Sequence, residues 1–368
     1  MNRKAVMMFA LMISGCGFVS AGINFMNGPL SEAITRAEKN HQPVMIDFIT
    51  DWCRWCDTLD ARTYSDPRVA DLINHNVVPV KIDAEKGEGI AIAGKYGVHA
   101  YPTILLIQPG GEEIDRLVGY VQADPFLSSM QDYLKGVNTL SGIEASLKKN
   151  PGDASLHYAL AVKYRDRDNW TSAAEHFQRV VELDRTNALG HNEEAEYSVA
   201  VASFKSESDP QKLEVFIGHY PQSPLVKEAL YSLWRTYIKA KDGAHAQQYF
   251  GRYMALRPDD AGMMNNYAWG CAEQGINLEH AREIARKAVG LARKNDDRAM
   301  FLDTEAAVEF ALGNSDGAIT LEQQALDLLH DASPKARKPY DEAMAKFRAA
   351  TSHPPATGQP GTHRATGQ

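Results

Sequence analysis

Apolar positions change their rhythm once along this chain, and the change divides it. Leu30, Ala33, Ile34 and Ala37 recur at helical spacing and predict a helix over 30–40, with Ser31 as a candidate cap. Val44 to Ile49 is a strand-like apolar run broken only by Asp47. Cys53 follows a two-residue bend, and Asp57 to Ala61 has a helical pattern. Val77 to Ile82 predicts a second buried strand, and Ile90 to Tyr96 a short helix ended by Gly97. Thr103 to Ile107 and Glu113 to Val118 predict two more strands around the turn Pro109-Gly110-Gly111, and Pro125 to Leu134 a closing helix. Strands that alternate with helices and end in a hairpin predict an α/β sheet covered on both faces, over about Gly22 to Gly136.

Beyond Gly136 strand-like runs vanish, and helical segments rich in Ala, Leu, Glu, Lys and Tyr fill residues 137–350. Ala173, Ala246, Ala281 and Ala318 each begin a similar helix, spaced 73, 35 and 37 residues apart. The first gap is about two units long, which predicts a degenerate repeat between Asn192 and His219. Leu160, Ala161, Tyr164, Trp170, Ala173 and Phe177 fit one unit, and Leu233, Tyr237, Ala246, Phe250 and Pro258 another. Trp234 stands where a small residue is usual, and Arg185 where Pro is common. The region resembles tetratricopeptide repeats, whose period is about 34 residues. One such repeat cannot bury its own face, so several stack into a curved solenoid whose concave side can hold a protein or peptide. The alternative is that this region only packs against the α/β domain or makes dimers. Residues 351–368 are Pro, Gly, Thr, Ser and His without periodicity and predict a disordered tail.

The N-terminus reads as an export signal. Arg3 and Lys4 precede the apolar run Ala5 to Ile13, which is too short to span a bilayer comfortably, and small residues follow. Val19-Ser20-Ala21 offers a cleavage site that makes residues 1–21 the signal and starts the mature chain at Gly22. Ile13-Ser14-Gly15-Cys16 resembles a lipoprotein box, with a signal of residues 1–15 and a lipid on Cys16 as the only membrane attachment. The apolar stretch after Cys16 favours the first, and an uncleaved anchor is the third reading. All three place the rest of the chain outside the cytoplasm, in the periplasm.

Composition narrows the function. Hydrophobic residues make up 44% and charged residues 23% of the 368, a soluble globular balance. The net charge of -8 and the lack of a basic block argue against nucleic acid as the main partner. Four cysteines are too few for a disulfide scaffold, but Cys53 and Cys56 sit three apart after a strand and at a helix start. Unpaired backbone N–H groups and the helix dipole there favour an anion, so Cys53 is expected to be the thiolate nucleophile. Cys56, one turn along, is placed to resolve a mixed disulfide. Arg54 adds a positive charge, and Trp55 is bulky where redox pairs often carry Pro, so both should tune the potential. Zinc would need a second ligand pair that the sequence lacks, and covalent haem would need His where Asp57 stands. A purely structural disulfide gains little from so short a loop. No metal and no cofactor beyond the Cys53–Cys56 pair are expected. Asp47 interrupts an apolar strand, which is costly unless the acid is used or paired. Trp52 is expected to wall the site, and Cys271 to be packing.

Ile46-Asp47-Phe48 together with Thr50-Asp51-Trp52-Cys53-Arg54-Trp55-Cys56 resembles the active-site region of the thioredoxin superfamily. Thr63 to Val69 is similar to its periplasmic members, notably the C-terminal domain of the transmembrane disulfide reductase. Tyr96-Gly97-Val98 followed by Tyr101-Pro102-Thr103 matches a second family motif. The resemblance implies a cis bond before Pro102, a Tyr101 backbone that receives substrate as an added strand, and a proton-accepting role for Asp47 towards Cys56. It implies a thiol-disulfide oxidoreductase acting on protein thiols and disulfides with a separate redox partner, and it favours reduction over oxidation or isomerisation. The competing class is a non-catalytic repeat protein of the cell envelope that keeps the redox fold as a scaffold.

Overall fold

The computed structural model describes residues 22–207 and 209–352; the segment read as an export signal, Cys16 and the tail from 353 lie outside them. Four strands form one sheet: β1 (Val44–Ile49), β2 (Val78–Asp83), β3 (Thr103–Ile107) and β4 (Glu113–Val118), in the order β2-β1-β3-β4. β1 runs parallel to β2 and antiparallel to β3, and β3–β4 is the antiparallel hairpin. Side chains alternate across a strand, so β1 feeds two cores. Val44, Ile46 and Phe48 pack with Leu30, Ala33 and Ala37 of α1 (Leu30–Asn40) and with Ala93 of α4 (Gly89–Lys95). Met45 points the other way, into a cluster with Leu59, Tyr64, Val69, Ile73 and Phe126. Asp47 shares the face of Met45, which is the face covered by the helix that starts after Cys53.

That helix, α2, spans Arg54–Leu59, three residues earlier than the apolar pattern places it, and continues as a π-helical turn over Asp60–Tyr64. The structure adds α3 (Pro67–Asn76), which the apolar reading passes over. Its local causes are plain: Asp66 caps it by accepting from the Arg68 N–H, Pro67 occupies the first turn, and Val69, Ala70 and Ile73 form its buried stripe. α5 (Ala123–Leu134) closes the α/β part.

Every later element among the described residues is helical. α6 (Leu140–Lys149) is followed by α7 (Ala154–Arg165) and α8 (Trp170–Leu183), then α9 (Asn192–Glu207) and α10 (Gln211–His219). Three further pairs follow: α11 (Val226–Lys239) with α12 (Gly243–Leu256), α13 (Ala261–Gln274) with α14 (Leu278–Leu291), and α15 (Asn295–Ala311) with α16 (Ser315–Leu328). α17 (Pro334–Ser352) ends the described chain. The fold is thus a thioredoxin-like α/β domain followed by a tetratricopeptide-like run of helix pairs. Two compact units result, one through Ala202 and one from Ser203, so the first helix pair shares a unit with the sheet.

The repeat marker has a geometric meaning. Ala173, Ala246, Ala281 and Ala318 are each the fourth residue of the second helix of a pair, and all are fully buried. Each follows an Asn or Asp that precedes the helix: Asn169, Asp242, Asn277 and Asn314. A small side chain at such a position lets two helices approach closely. In α10 the fully buried residue of the first turn is Leu213, not an alanine, so the small-residue marker is absent from that unit. Trp234 is buried, with Gly270 of α13 beside it; a Cβ at 270 would meet the Trp234 ring at an ordinary 3.8 Å but press on Ile238 at 3.0 Å. Ala246→Leu should therefore cost about 1–3 kcal/mol through overpacking. Denaturant unfolding checks this, and an unchanged midpoint would show that α11 and α12 leave room at 246.

Candidate active site

Cys53 is the N-cap of α2, and Cys56 lies one turn in. Their sulfurs are joined as a disulfide with the Cα atoms 5.3 Å apart. The backbone N–H of Cys56 donates to Cys53 Sγ at 3.1 Å. A backbone donor aimed at this sulfur is the arrangement that stabilises a thiolate once the bond is reduced. Both sulfur residues are almost covered, 5% and 6% exposed, so access does not tell them apart.

Around the covered disulfide the surface is aromatic. Trp52 is 65% and Trp55 61% exposed, against the usual tendency of large apolar side chains to hide. Trp52 meets Tyr101 edge-on with centroids 5.9 Å apart, and its Nε1 donates to Glu85 Oε2 at 3.0 Å. Trp55 stacks on Tyr120, centroids 5.8 Å apart. The peptide bond between Tyr101 and Pro102 is cis, and Pro102 is buried at the start of β3. Arg54 is exposed beside the pair.

Beneath the helix lies a polar cluster. Asp47 is 1% exposed, and burial pushes its carboxyl up to about 7, with Lys81 pulling against that rise. Lys81 Nζ stands 3.7 Å from Asp47 Oδ2 and donates to both carboxylate oxygens of Asp60 on the π-helical turn. It also lies over the rings of Phe25 and Tyr64, 4.9 and 5.5 Å from their centroids. Asp47 Oδ1 is buried without a hydrogen-bond partner, and burial together with the Asp47 charge holds the Tyr64 phenol well above its usual range. A half-satisfied carboxyl that titrates near neutrality can take up or release a proton there.

Of the residues singled out in the sequence, the structure gathers Trp52, Cys53, Arg54, Trp55 and Cys56 at the start of α2. It adds Tyr101 through its ring contact and places Asp47 on the strand face below. Lys81, Asp60, Tyr64 and Tyr120 escaped the sequence reading. Lys81 had a signal: it interrupts an apolar strand as Asp47 does, and the two are register partners across β1 and β2. Cys271 is fully buried and unpaired, and burial lifts its thiol to about 12. Among the described residues no cluster of three His, Cys, Asp or Glu side chains could hold a metal ion, and no helix is long and apolar enough to cross a membrane.

Residues 30–134 match the family model of a thioredoxin-like domain. The thiol:disulfide interchange protein DsbD of Salmonella choleraesuis is 32% identical over 106 residues, covering 28% of this chain and 18% of that protein. The chain thus spans less than a fifth of the length of that relative. The crystal structure of the DsbD C-terminal domain from Neisseria meningitidis is 28% identical, covers 28% of this chain and 92% of that one, and gives a TM-score of 0.26. For the helical remainder, YrrB, described as a TPR protein with an unusual peptide-binding site, is 16% identical over 52% of this chain and 95% of that one, with a TM-score of 0.39. The α/β region is a thioredoxin-like domain that resembles the DsbD C-terminal domain and carries an oxidoreductase-like Cys53–Cys56 pair.

Proposed function

We propose that this protein is a thiol-disulfide oxidoreductase that reduces protein disulfides outside the cytoplasm and uses its helical repeats to recruit a protein partner. One observation carries the reading: a covered Cys53–Cys56 disulfide at a helix start, ringed by exposed Trp52 and Trp55. In the reduced protein the Cys53 thiolate attacks a substrate disulfide, forms a mixed disulfide and expels one substrate thiolate. Asp47 takes the proton of Cys56, and the Cys56 thiolate attacks Cys53 Sγ. The second substrate thiolate leaves and is protonated. Two electrons have then passed to the substrate, and the joined Cys53–Cys56 state remains. A donor dithiol on a redox partner must reopen it. Tyr101 and Pro102 supply the bend against which an extended substrate segment docks, with Trp52 and Trp55 as walls. Export and the periplasmic setting rest on the N-terminal pattern and on the likeness to DsbD.

Insulin reduction with dithiothreitol as donor tests the activity: wild type should accelerate it, with Cys53→Ser as the inactive control, and equal rates would defeat the proposal. Equilibration of the pair with glutathione tests the direction. A potential below about −200 mV supports reduction, whereas one near −120 mV would make the protein an oxidant.

A further inference from the structure

β4 carries three charged residues within four positions, Glu113, Asp115 and Arg116. Asp115 is fully buried and Arg116 nearly so. Buried charges need partners, and these find theirs in two directions. Towards the helical region, Asp115 accepts from Lys163 Nζ at 2.8 Å, from Arg167 Nη2 at 2.9 Å and from the Leu140 N–H at 2.9 Å. Towards the active site, Arg116 Nη2 donates to the Tyr96 carbonyl at 2.8 Å and Nη1 to the Gly97 carbonyl at 3.4 Å. Tyr96 ends α4, and Gly97 turns the chain with a φ of 58° into the loop that reaches Tyr101 and Pro102. Glu113 joins the two halves. It accepts from Arg116 through both oxygens, at 2.9 and 2.5 Å, and from Arg167 Nη2 at 2.6 Å. An unbroken chain of charge-assisted hydrogen bonds therefore runs from the end of α7 to the root of the loop.

We propose that Arg167 is a positioning residue for the substrate-docking loop, acting through Glu113 and Arg116; this rests on the reading that Tyr101 and Pro102 receive substrate. The first helical repeat then sets how the redox domain meets a protein substrate. The disulfide chemistry itself lies outside the chain of contacts. The rival is a clamp that only holds α7 to the sheet. Such a clamp would change melting temperature and nothing about the loop.

The test uses full-length Arg167→Leu and Arg167→Lys. Both carboxylate contacts of Arg167 come from one nitrogen, so a lysine amine can reproduce them. Arg167→Leu should raise KM for insulin by about three- to tenfold, inside the range of about two- to thirtyfold seen when a coupling network is cut, with kcat nearly unchanged. The rate with a small aromatic disulfide should not move, and Arg167→Lys should restore most of the KM. Hydrogen exchange of the oxidised protein gives a second readout that needs no turnover: the segment 97–102 should lose protection in Arg167→Leu and regain it in Arg167→Lys. Unchanged KM with unchanged protection at 97–102 overturns the proposal, even if the melting temperature falls. Should wild type fail to reduce insulin, the functional reading falls, and the exchange pattern alone still decides whether Arg167 positions the loop.

Discussion

Cys56→Ser is expected to accumulate covalent adducts with its substrates, whereas Cys53→Ser should form none and fall to the uncatalysed rate. Accessibility cannot yield this ordering, because the two residues are covered almost equally. The order comes from the backbone. Cys53 caps α2 and its sulfur receives the Cys56 N–H, while Cys56 lies inside the helix with its own amide already used. The thiolate, not the thiol, is the nucleophile, so the sulfur whose anion a backbone N–H stabilises is the one that attacks. A serine hydroxyl stays protonated, so Cys53→Ser should lose at least about a hundredfold in exchange rate. Cys56→Ser keeps the first attack and loses the second, so mixed disulfides persist and appear as high-mass bands on non-reducing gels that dithiothreitol collapses. Adducts on Cys53→Ser and none on Cys56→Ser would reverse the assignment.

How much of this was legible beforehand depends on what kind of signal each residue sends. β1, β3, β4 and α1 fall where the apolar periodicity places them, because a strand buried on both faces and an amphipathic helix each leave a local pattern. α3 had as clear a local signature in Asp66, Pro67 and the Val69–Ile73 stripe, but a motif that short is easily absorbed into its neighbour and lost as an element. The Cys53–Cys56 pair and Asp47 were visible because a close cysteine pair and a charge inside an apolar run are both rare. Asp60, Tyr64 and Tyr120 were not, since nothing local distinguishes an acid or a tyrosine that meets the site only after the chain has folded. Lys81 stands between these cases: its interruption of β2 was visible, but its match to Asp47 needs the parallel register. The ion network of Glu113, Asp115 and Arg116 is the extreme case. On an edge strand three charges read as solvent-facing, and only the packing of α7 beside them explains why Asp115 and Arg116 are buried. The helical half was legible by period alone, and α10 escaped the marker because Leu213, not alanine, is the fully buried residue of its first turn.

Asp47→Asn should make the protein more stable at pH 8 and a poorer catalyst, two effects of opposite sign from one substitution. Burial holds the Asp47 proton until about pH 7 in the folded chain, against 3.8 for the free side chain. A folded pKa raised above the unfolded one gives stability that is complete below about pH 4 and is lost as the pH climbs through 7. Three pH units at 1.36 kcal/mol each put the loss on the order of 4 kcal/mol. Asparagine carries no charge at either pH and escapes the penalty. Lys81 keeps Asp60 as its partner, so removing the Asp47 charge does not strand a buried cation. The melting temperatures of wild type and Asp47→Asn should therefore nearly coincide at pH 4 and separate by pH 8, with the variant higher. Over the same range the variant should lose the step in which Cys56 is deprotonated. The general-base contribution is typically 10²–10⁴-fold, so insulin reduction at pH 7 should drop at least about tenfold and lose its rise across pH 6–8. A variant that melts lower at pH 8 would show that Asp47 is ionised and held by Lys81 as a structural ion pair. Unaltered turnover would show that Cys56 surrenders its proton elsewhere.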